Sequence, residues 1–273
     1  MAYKEDRLNK VIGSLGFSFS SLPFRDGDVD IREVTHAADI FLEARFNYFD
    51  ISSQYKKAAT ATIAALQKRY ARRSYCLSTA ESSLEGYFSR FERLSIEYYD
   101  FFALENDAVT DDSIAFLEGE KEKGRIHHLG LKWTGEEDAL SRILSSSKGI
   151  EYVILPLSAS DFFSDTVRRR CYERAVEASV PVIIETGERK EIEESFTEEK
   201  KKTLHGRHPS WPLIAWNLRF LHSLEGVVTV TMPLGDLSTT KDAIKALRRF
   251  SFLKSEEKSL ILESTTHGIN PGV

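Results

Sequence analysis

Two groups five residues apart carry the first chemical signal, the carboxyl of Asp50 and the phenol of Tyr55. Asp50 closes the run Phe46-Asn47-Tyr48-Phe49, whose brief aromatic pattern predicts a strand buried on both faces. An acid at the C-terminal end of a buried strand, followed by a polar loop, is how barrel enzymes mount reactive groups. A phenol has a pKa near ~10, so proton exchange at neutral pH needs a cation beside it. The plainer reading makes Asp50 a turn cap and Tyr55 an amphipathic surface residue. Two later apolar runs also end in charge, at Glu105 and Lys132. Lys132 reads as a replacement cation, as an imine-forming amine, or as a lysine that snorkels or pairs with an acid such as Glu105.

The elements that must position these groups alternate along the chain. Val11 to Phe19 reads as a hairpin or first strand. Strands follow at Phe46–Phe49, Ser74–Thr79, Tyr98–Leu104, Ile126–Trp133, Glu151–Leu157, Val180–Ile184 and Val227–Met232. Between and after them, helical spacing recurs at 31–44, 58–72, 82–94, 111–123, 136–146, 165–178, 212–222 and 239–250. Asp30 is placed to cap the first helix and Gly124 to end the fourth. Eight strands, each followed by a helix, imply right-handed parallel crossovers and a single-domain α/β fold, the closed (β/α)8 TIM barrel. No glycine-rich phosphate turn follows an early strand, which disfavours an open dinucleotide-binding sheet. The segment 185–210 breaks the rhythm. It is dense in charge of both signs and reads as a solvated loop or short surface helix, with a lid over a ligand as the functional alternative.

Composition narrows the function classes. The 273 residues are 41% hydrophobic and 29% charged, which gives ample core for one large barrel. A formal charge of -5 is too mild for a nucleic-acid surface, so no nucleic-acid partner is expected. No apolar run reaches membrane-spanning length and the first nine residues are polar, so no membrane partner and no signal peptide are expected. Cys76 and Cys171 lie in apolar segments, which points to thiols in a reducing, cytoplasmic compartment. No metal is expected: His127 and His128 have no carboxylate or cysteine at ligand spacing and read as structural. His205 and His208 read as solvated, and Trp133, Phe162 and Phe163 as core in preference to a pocket floor.

Several stretches together resemble the aldo-keto reductase family. They are Leu15-Gly16-Phe17 with Leu22-Pro23, Asn47-Tyr48-Phe49-Asp50 with Tyr55, 122–130 before strand five, Pro181-Val182-Ile183, Trp216 to Leu221 and Val227 to Pro233. The resemblance implies hydride transfer from NADP or NAD to a carbonyl, with a tyrosine as proton donor, a lysine lowering its pKa, an aspartate holding the lysine and a histidine positioning the carbonyl. Asp50 and Tyr55 match the aspartate and the tyrosine. Ala80 stands where the lysine is expected, and Glu105 where the histidine is expected. Losing the cation and adding a carboxylate both push a nearby phenol's pKa upward.

The cofactor positions implied by the resemblance differ as well. Lys132 and Trp133 replace a Ser-Asn pair, Ile154 replaces a glutamine, and Thr240 and Ile244 fall near an expected Arg and Asn. After strand eight, Met232-Pro233-Leu234-Gly235-Asp236 ends in an acid, while Gly235, Ser238, Thr239 and Lys241 remain as phosphate donors at a helix start. The expectation is therefore an aldo-keto-reductase-like barrel whose NAD(P)H-dependent carbonyl reduction is weak or lost and which binds a small molecule or a partner. Two alternatives stand beside it. One is an active NAD(P)H-dependent oxidoreductase with Tyr55 as proton donor and Glu105 assisting, as in family members that reduce activated carbon–carbon double bonds. The other is a nonredox enzyme with Asp50, Glu105 and Lys132 as acid, base and electrophile.

Overall fold

In the computed structural model, residues 8, 11–52, 56–86, 88, 96–248 and 252–262 are described. Eight parallel strands close on one another in chain order: β1 (Leu15–Ser18), β2 (Tyr48–Asp50), β3 (Cys76–Glu81), β4 (Tyr99–Glu105), β5 (Ile126–Lys132), β6 (Tyr152–Pro156), β7 (Val182–Glu185) and β8 (Val227–Pro233), with β8 pairing back onto β1. This is the expected (β/α)8 barrel. The first strand is confined to Leu15–Ser18, and the hairpin of this region is a separate pair, Phe24–Arg25 against Asp28–Val29.

The helices ring the barrel: α1 (Ile31–Glu43), α2 (Lys56–Gln67), α3 (Asp111–Glu122), α4 (Glu137–Ser146), α5 (Val167–Glu177), α6 (Arg189–Glu194), α7 (Glu198–Arg207), α8 (Leu213–His222), α9 (Leu237–Leu247) and α10 (Ser255–Leu262). The crossover from β3 to β4 begins as helix at 84–86, and most of the rest of the expected 82–94 helix lies outside the described residues. α1 illustrates the local logic. The Asp30 carboxylate accepts the Glu33 N–H at 3.1 Å, and Val34, Ala37, Ala38 and Phe41 bury the i, i+3, i+4, i+7 stripe. Gly124, at φ +75°, ends α3 in the left-handed conformation that favours glycine.

The charged segment is not an irregular loop. Glu188 and Thr197 cap the two short helices α6 and α7, which bury Ile192, Phe196 and Leu204. The buried ammonium of Lys200 donates to the carbonyls of Leu260 and Ile261 at the end of α10, and His208 pairs with Glu257 at 2.8 Å. Charge of both signs here docks helix on helix. Among the described residues no helix is long and apolar enough to cross a membrane.

Side chains alternate between the helical layer and the barrel axis, so each strand's inward residues form tiers. Tyr48, Phe101 and Tyr152 fill the middle, with ring centroids 5.3 and 5.4 Å apart in edge-to-face contacts. Gly130 makes room for this: a Cβ there would lie 2.5 Å from the Tyr152 ring. The aromatic tier is the floor beneath the C-terminal mouth.

Candidate active site at the barrel mouth

The inward residues closing β2, β4, β5 and β7 are Asp50, Glu105, Lys132 and Glu185. Strand pairing sets Glu105 beside Lys132 and Asp50 beside Ser18 and Ser78, while Glu185 pairs with Pro156 and Thr231. Three carboxylates thus share one ammonium on a half-enclosed rim. The Lys132 Nζ lies 2.8 Å from a Glu185 carboxylate oxygen, and both side chains are 19% exposed. Glu185 was not among the expected site residues. Its signal was available: Ile183 and Glu185 share the inward parity of β7, the same pattern that singles out Asp50. The partner of Lys132 is accordingly Glu185, not Glu105.

The electrostatics follow from this crowding. Burial works against the charge on Lys132, but Glu185, Asp50 and Glu105 outweigh it and hold the ammonium above the ordinary lysine value. A lysine so firmly protonated is a fixed cation, not an imine-forming amine at neutral pH. Burial, then the neighbouring Asp50, raises Glu185 above the ordinary carboxylate range, even though Lys132 opposes the shift. A proton therefore enters this group more readily than it enters a free glutamate.

Asp50 is held by neutral donors. It accepts the Ser52 N–H at 3.1 Å, the Ser52 hydroxyl and the Ser18 hydroxyl at 3.4 Å. The Ser52 oxygen in turn accepts the Ala80 N–H at 2.9 Å. Where the resemblance implies a lysine from β3, a serine hydroxyl ties Asp50 to that strand, and the Ala80 methyl is buried in the barrel interior. Tyr55 lies outside the described residues, so the expected Asp50–Tyr55 pair has no geometry here.

Another phenol does face this region. Tyr48 sits one inward step below Asp50 on β2, fully buried, with the Ser78 side chain of β3 beside its hydroxyl. Burial, then Asp50, places its pKa well above the ordinary tyrosine value. The hydroxyl of Tyr152 is buried in the same way.

Two adjoining clefts open at the rim. A cleft of about 540 Å³ is lined by Glu185, Ser158, Ser160, Arg168, Glu188 and Glu191, among others. A second, of about 330 Å³, shares Glu188 and Pro233 with it and reaches Asp236 and Thr239 at the start of α9. Of the expected phosphate donors, Thr239 N–H already serves the Asp236 carboxylate at 2.8 Å; the neighbouring Leu237 N–H, not among them, serves Glu33 at 3.2 Å. Gly235 is buried against Leu22 and Pro23, and Ser238 is exposed. Lys241 lines a different groove, between α1 and α9, with Lys245 and Arg248. Two backbone donors at this helix start are thus engaged by carboxylates that would compete with a phosphate there.

The remaining candidates are structural. Trp133 is buried in the helical layer and donates to the Glu136 carbonyl, while Phe162 packs on Tyr172 and Phe220, and Phe163 on Phe196. His128 stacks on Phe101 at the opposite end of the barrel, and His127 on Tyr98. His208 stacks on Trp211, and His205 is exposed. The Cys76 thiol is pushed up to about 12 and the Cys171 thiol to about 11 by burial, so both are inert.

No protein-family model matches the sequence, and no curated protein matches it. Solved structures do. An aldo-keto reductase from Bacillus halodurans, in its holo form, superposes with a TM-score of 0.71 at 19% identity, over 92% of this chain and 91% of that one. An aldo-keto reductase from Klebsiella pneumoniae in complex with NADPH gives 0.73 at 11% identity, over 92% and 90%. The aldose reductase from Schistosoma japonicum gives 0.68 at 14%, over 92% and 88%. At such low identity the likeness establishes the fold: the chain has the aldo-keto reductase barrel.

Proposed function

We propose that this chain, an aldo-keto reductase in fold, binds a small polar molecule at the mouth of its barrel, and that NAD(P)H-dependent carbonyl reduction is weak or lost in it. The observation that carries this reading is the half-buried Lys132–Glu185 pair beside Asp50 and Glu105. The mouth holds a fixed cation, a carboxyl that takes up a proton early, and a carboxylate fixed by serine donors. That set moves protons on a bound carbonyl or hydroxyl. Two features argue against hydride chemistry. Ala80 supplies no ammonium from β3, and the donors at the start of α9 are engaged by Asp236 and Glu33.

The test is a titration of the full chain with NADPH and NADH, followed by intrinsic tryptophan fluorescence, with simple aldehydes added. Weak or absent binding and no turnover are expected. Tight, saturable binding with turnover would sink the reading.

A second reading keeps an NAD(P)H-dependent oxidoreductase with Tyr55 as proton donor and Glu105 assisting. Its support is that two of the superposed structures carry cofactor, NADPH in one and NADP with acetate in another, both from Klebsiella pneumoniae. The clefts here also run from Glu185 to the start of α9. In that case Lys132, within electrostatic reach of Asp50, would replace the missing cation. Reductase activity that is abolished in Tyr55→Phe and Lys132→Met alike would favour it. Activity untouched by Tyr55→Phe would dispose of it.

A further inference from the structure

We propose that Asn217 is a positioning residue of the mouth: from the helical layer its buried side chain ties together the two loops that wall the cleft beside Glu185, and so fixes where the Glu185 carboxylate stands. The proposal rests on the reading above in taking the mouth as the functional site.

The setting of Asn217 in α8 is the first observation. Ile214, Trp216, Leu218 and Phe220 of this helix are buried, and Asn217, 1% exposed, places an amide among them. A buried amide is costly unless it is hydrogen-bonded, so its partners show what it holds. They do not belong to its own helix. The Asn217 Oδ1 accepts the Ala159 N–H at 2.9 Å, and its Nδ2 donates to the Thr186 hydroxyl oxygen at 3.0 Å.

These partners stand on the two walls of the cleft. Ala159 opens a single turn after β6, Ala159–Phe162, and its N–H is a leading donor that the turn cannot satisfy by itself. Phe220, three residues along the same face of α8, packs on Phe162 at the other end of that turn, with ring centroids 5.4 Å apart. Thr186 directly follows Glu185 at the end of β7. It is buried, and its N–H donates to the Thr231 carbonyl of β8 at 2.9 Å. Ser158, next to Ala159, lines the cleft of about 540 Å³ together with Glu185 and Thr186. The Leu157 N–H joins β6 to the Glu185 carbonyl at 3.1 Å, and where that ladder ends the Asn217 amide carries the link on.

The consequence falls on Glu185. Its carboxyl is raised by burial and by Asp50, then opposed by Lys132, with Glu105 adding to the rise. All of these depend on where the carboxylate stands. Loosening the loop at Thr186 admits water to the carboxyl, and burial, the largest of the causes, is relieved.

The experiment follows the Glu185 carboxyl against pH by carbon-13 NMR of the full chain, labelled at the glutamate carboxyls and assigned with Glu185→Gln. Asn217→Leu keeps the apolar bulk and removes both bonds. In it the Glu185 midpoint should fall toward the ordinary glutamate value by about half a unit or more. Leu66→Ala, a core truncation in the last turn of α2, should lower stability and leave the midpoint in place. Thr186→Val removes only the hydroxyl partner and should give a smaller fall. Asn217→Leu added to it should then move the midpoint less than it does in the parent, because the two changes share one bond. If Asn217→Leu fails to fold, Thr186→Val decides. The proposal is overturned if either folded variant leaves the midpoint in place or raises it, if Leu66→Ala moves it as far, or if the two changes simply add. A stationary Glu185 alongside weak NADPH binding sinks this proposal alone. NADPH binding with turnover sinks the parent reading and leaves the Asn217 result to stand by itself.

Discussion

The two ends of the barrel solve opposite electrostatic problems with similar residues. At the N-terminal end, Asp100 and Glu151 each have their own cations among the described residues. Asp100 accepts from Arg72 at 2.6 Å and from the Leu77 N–H at 2.9 Å, and His127 lies 3.7 Å away. Glu151 is paired with Lys121 and lies 3.7 Å from His128. Burial pushes the Glu151 carboxyl up, but His128 and Lys121 outweigh it and bring it down to about 2. At the C-terminal mouth, Asp50, Glu105 and Glu185 divide Lys132 among the described residues, and Glu185 moves upward instead. A charge-balanced end closes the fold. A charge-starved end holds free energy in reserve for something that binds there. This is the division of labour expected of the fold, with stability at the bottom and chemistry at the top.

The largest effect should come from unbalancing the closed end. The Arg72 guanidinium holds the Tyr75 and Tyr98 carbonyls and Asp100, and it stacks 4.1 Å over the Tyr98 ring. Arg72→Met leaves Asp100 buried without its main cation, at a cost of about 3–5 kcal/mol. Urea denaturation measures this, and a loss under 1 kcal/mol would show that the pair is ornamental.

Glu151 comes next, and its pH dependence has a definite sign. Its folded pKa of about 2 lies below the ordinary carboxylate value, so its stabilisation is complete above that value and is lost as pH falls toward 2. Discounted for partial exposure, the contribution is about 2 kcal/mol at neutral pH. Glu151→Gln should be less stable by that amount at pH 7 and should show a flatter acid limb between pH 5 and 2. Melting curves across that range check both.

Sequence made much of this legible, for a physical reason. Strands buried on both faces and helices with a single apolar stripe leave different periodicities, so the alternation, the caps at Asp30 and Gly124 and the inward Asp50, Glu105 and Lys132 could all be read. Glu185 was legible by its parity with Ile183 but passed over, because it begins a charged segment where one more acid carries little contrast. For the segment holding α6 and α7 a short surface helix was one of the readings, but charge masked Ile192, Phe196 and Leu204 and so the burial of these helices. The anchor of α7, Lys200 on the carbonyls of Leu260 and Ile261, joins positions about sixty residues apart and leaves no local trace. Tyr48 was read as core. Only the packed barrel shows its hydroxyl beside Ser78 and within reach of Asp50.

At the mouth the expected effects shrink and change character. Lys132→Met removes the ammonium that Glu185 is paired with, and Glu185 then answers by holding its proton to higher pH. A carboxyl whose folded pKa is raised contributes stability fully below its unfolded pKa and loses it as pH rises through the folded value. The variant should therefore be about 1–2 kcal/mol less stable than the parent at pH 8 and closer to it at pH 5. A deficit that grows on acidification would contradict this account of the ring.

Glu185→Gln gives the smallest change and the sharpest contrast. In the parent, ionising Glu185 near neutral pH is opposed by burial and by Asp50, so its charge is carried at a cost that Lys132 only partly offsets. The amide keeps a hydrogen-bonding group beside Lys132 without that charge, while Asp50 and Glu105 still act on the ammonium. Stability at pH 7 should be unchanged or higher by up to about 1 kcal/mol. Neutralising an acid at the mouth would then do the reverse of neutralising Glu151 at the N-terminal end, although both are glutamates paired to a lysine. A loss above about 2 kcal/mol would place the Lys132–Glu185 pair with the balanced pairs of the closed end. The asymmetry between the two ends would then no longer point to a ligand at the mouth.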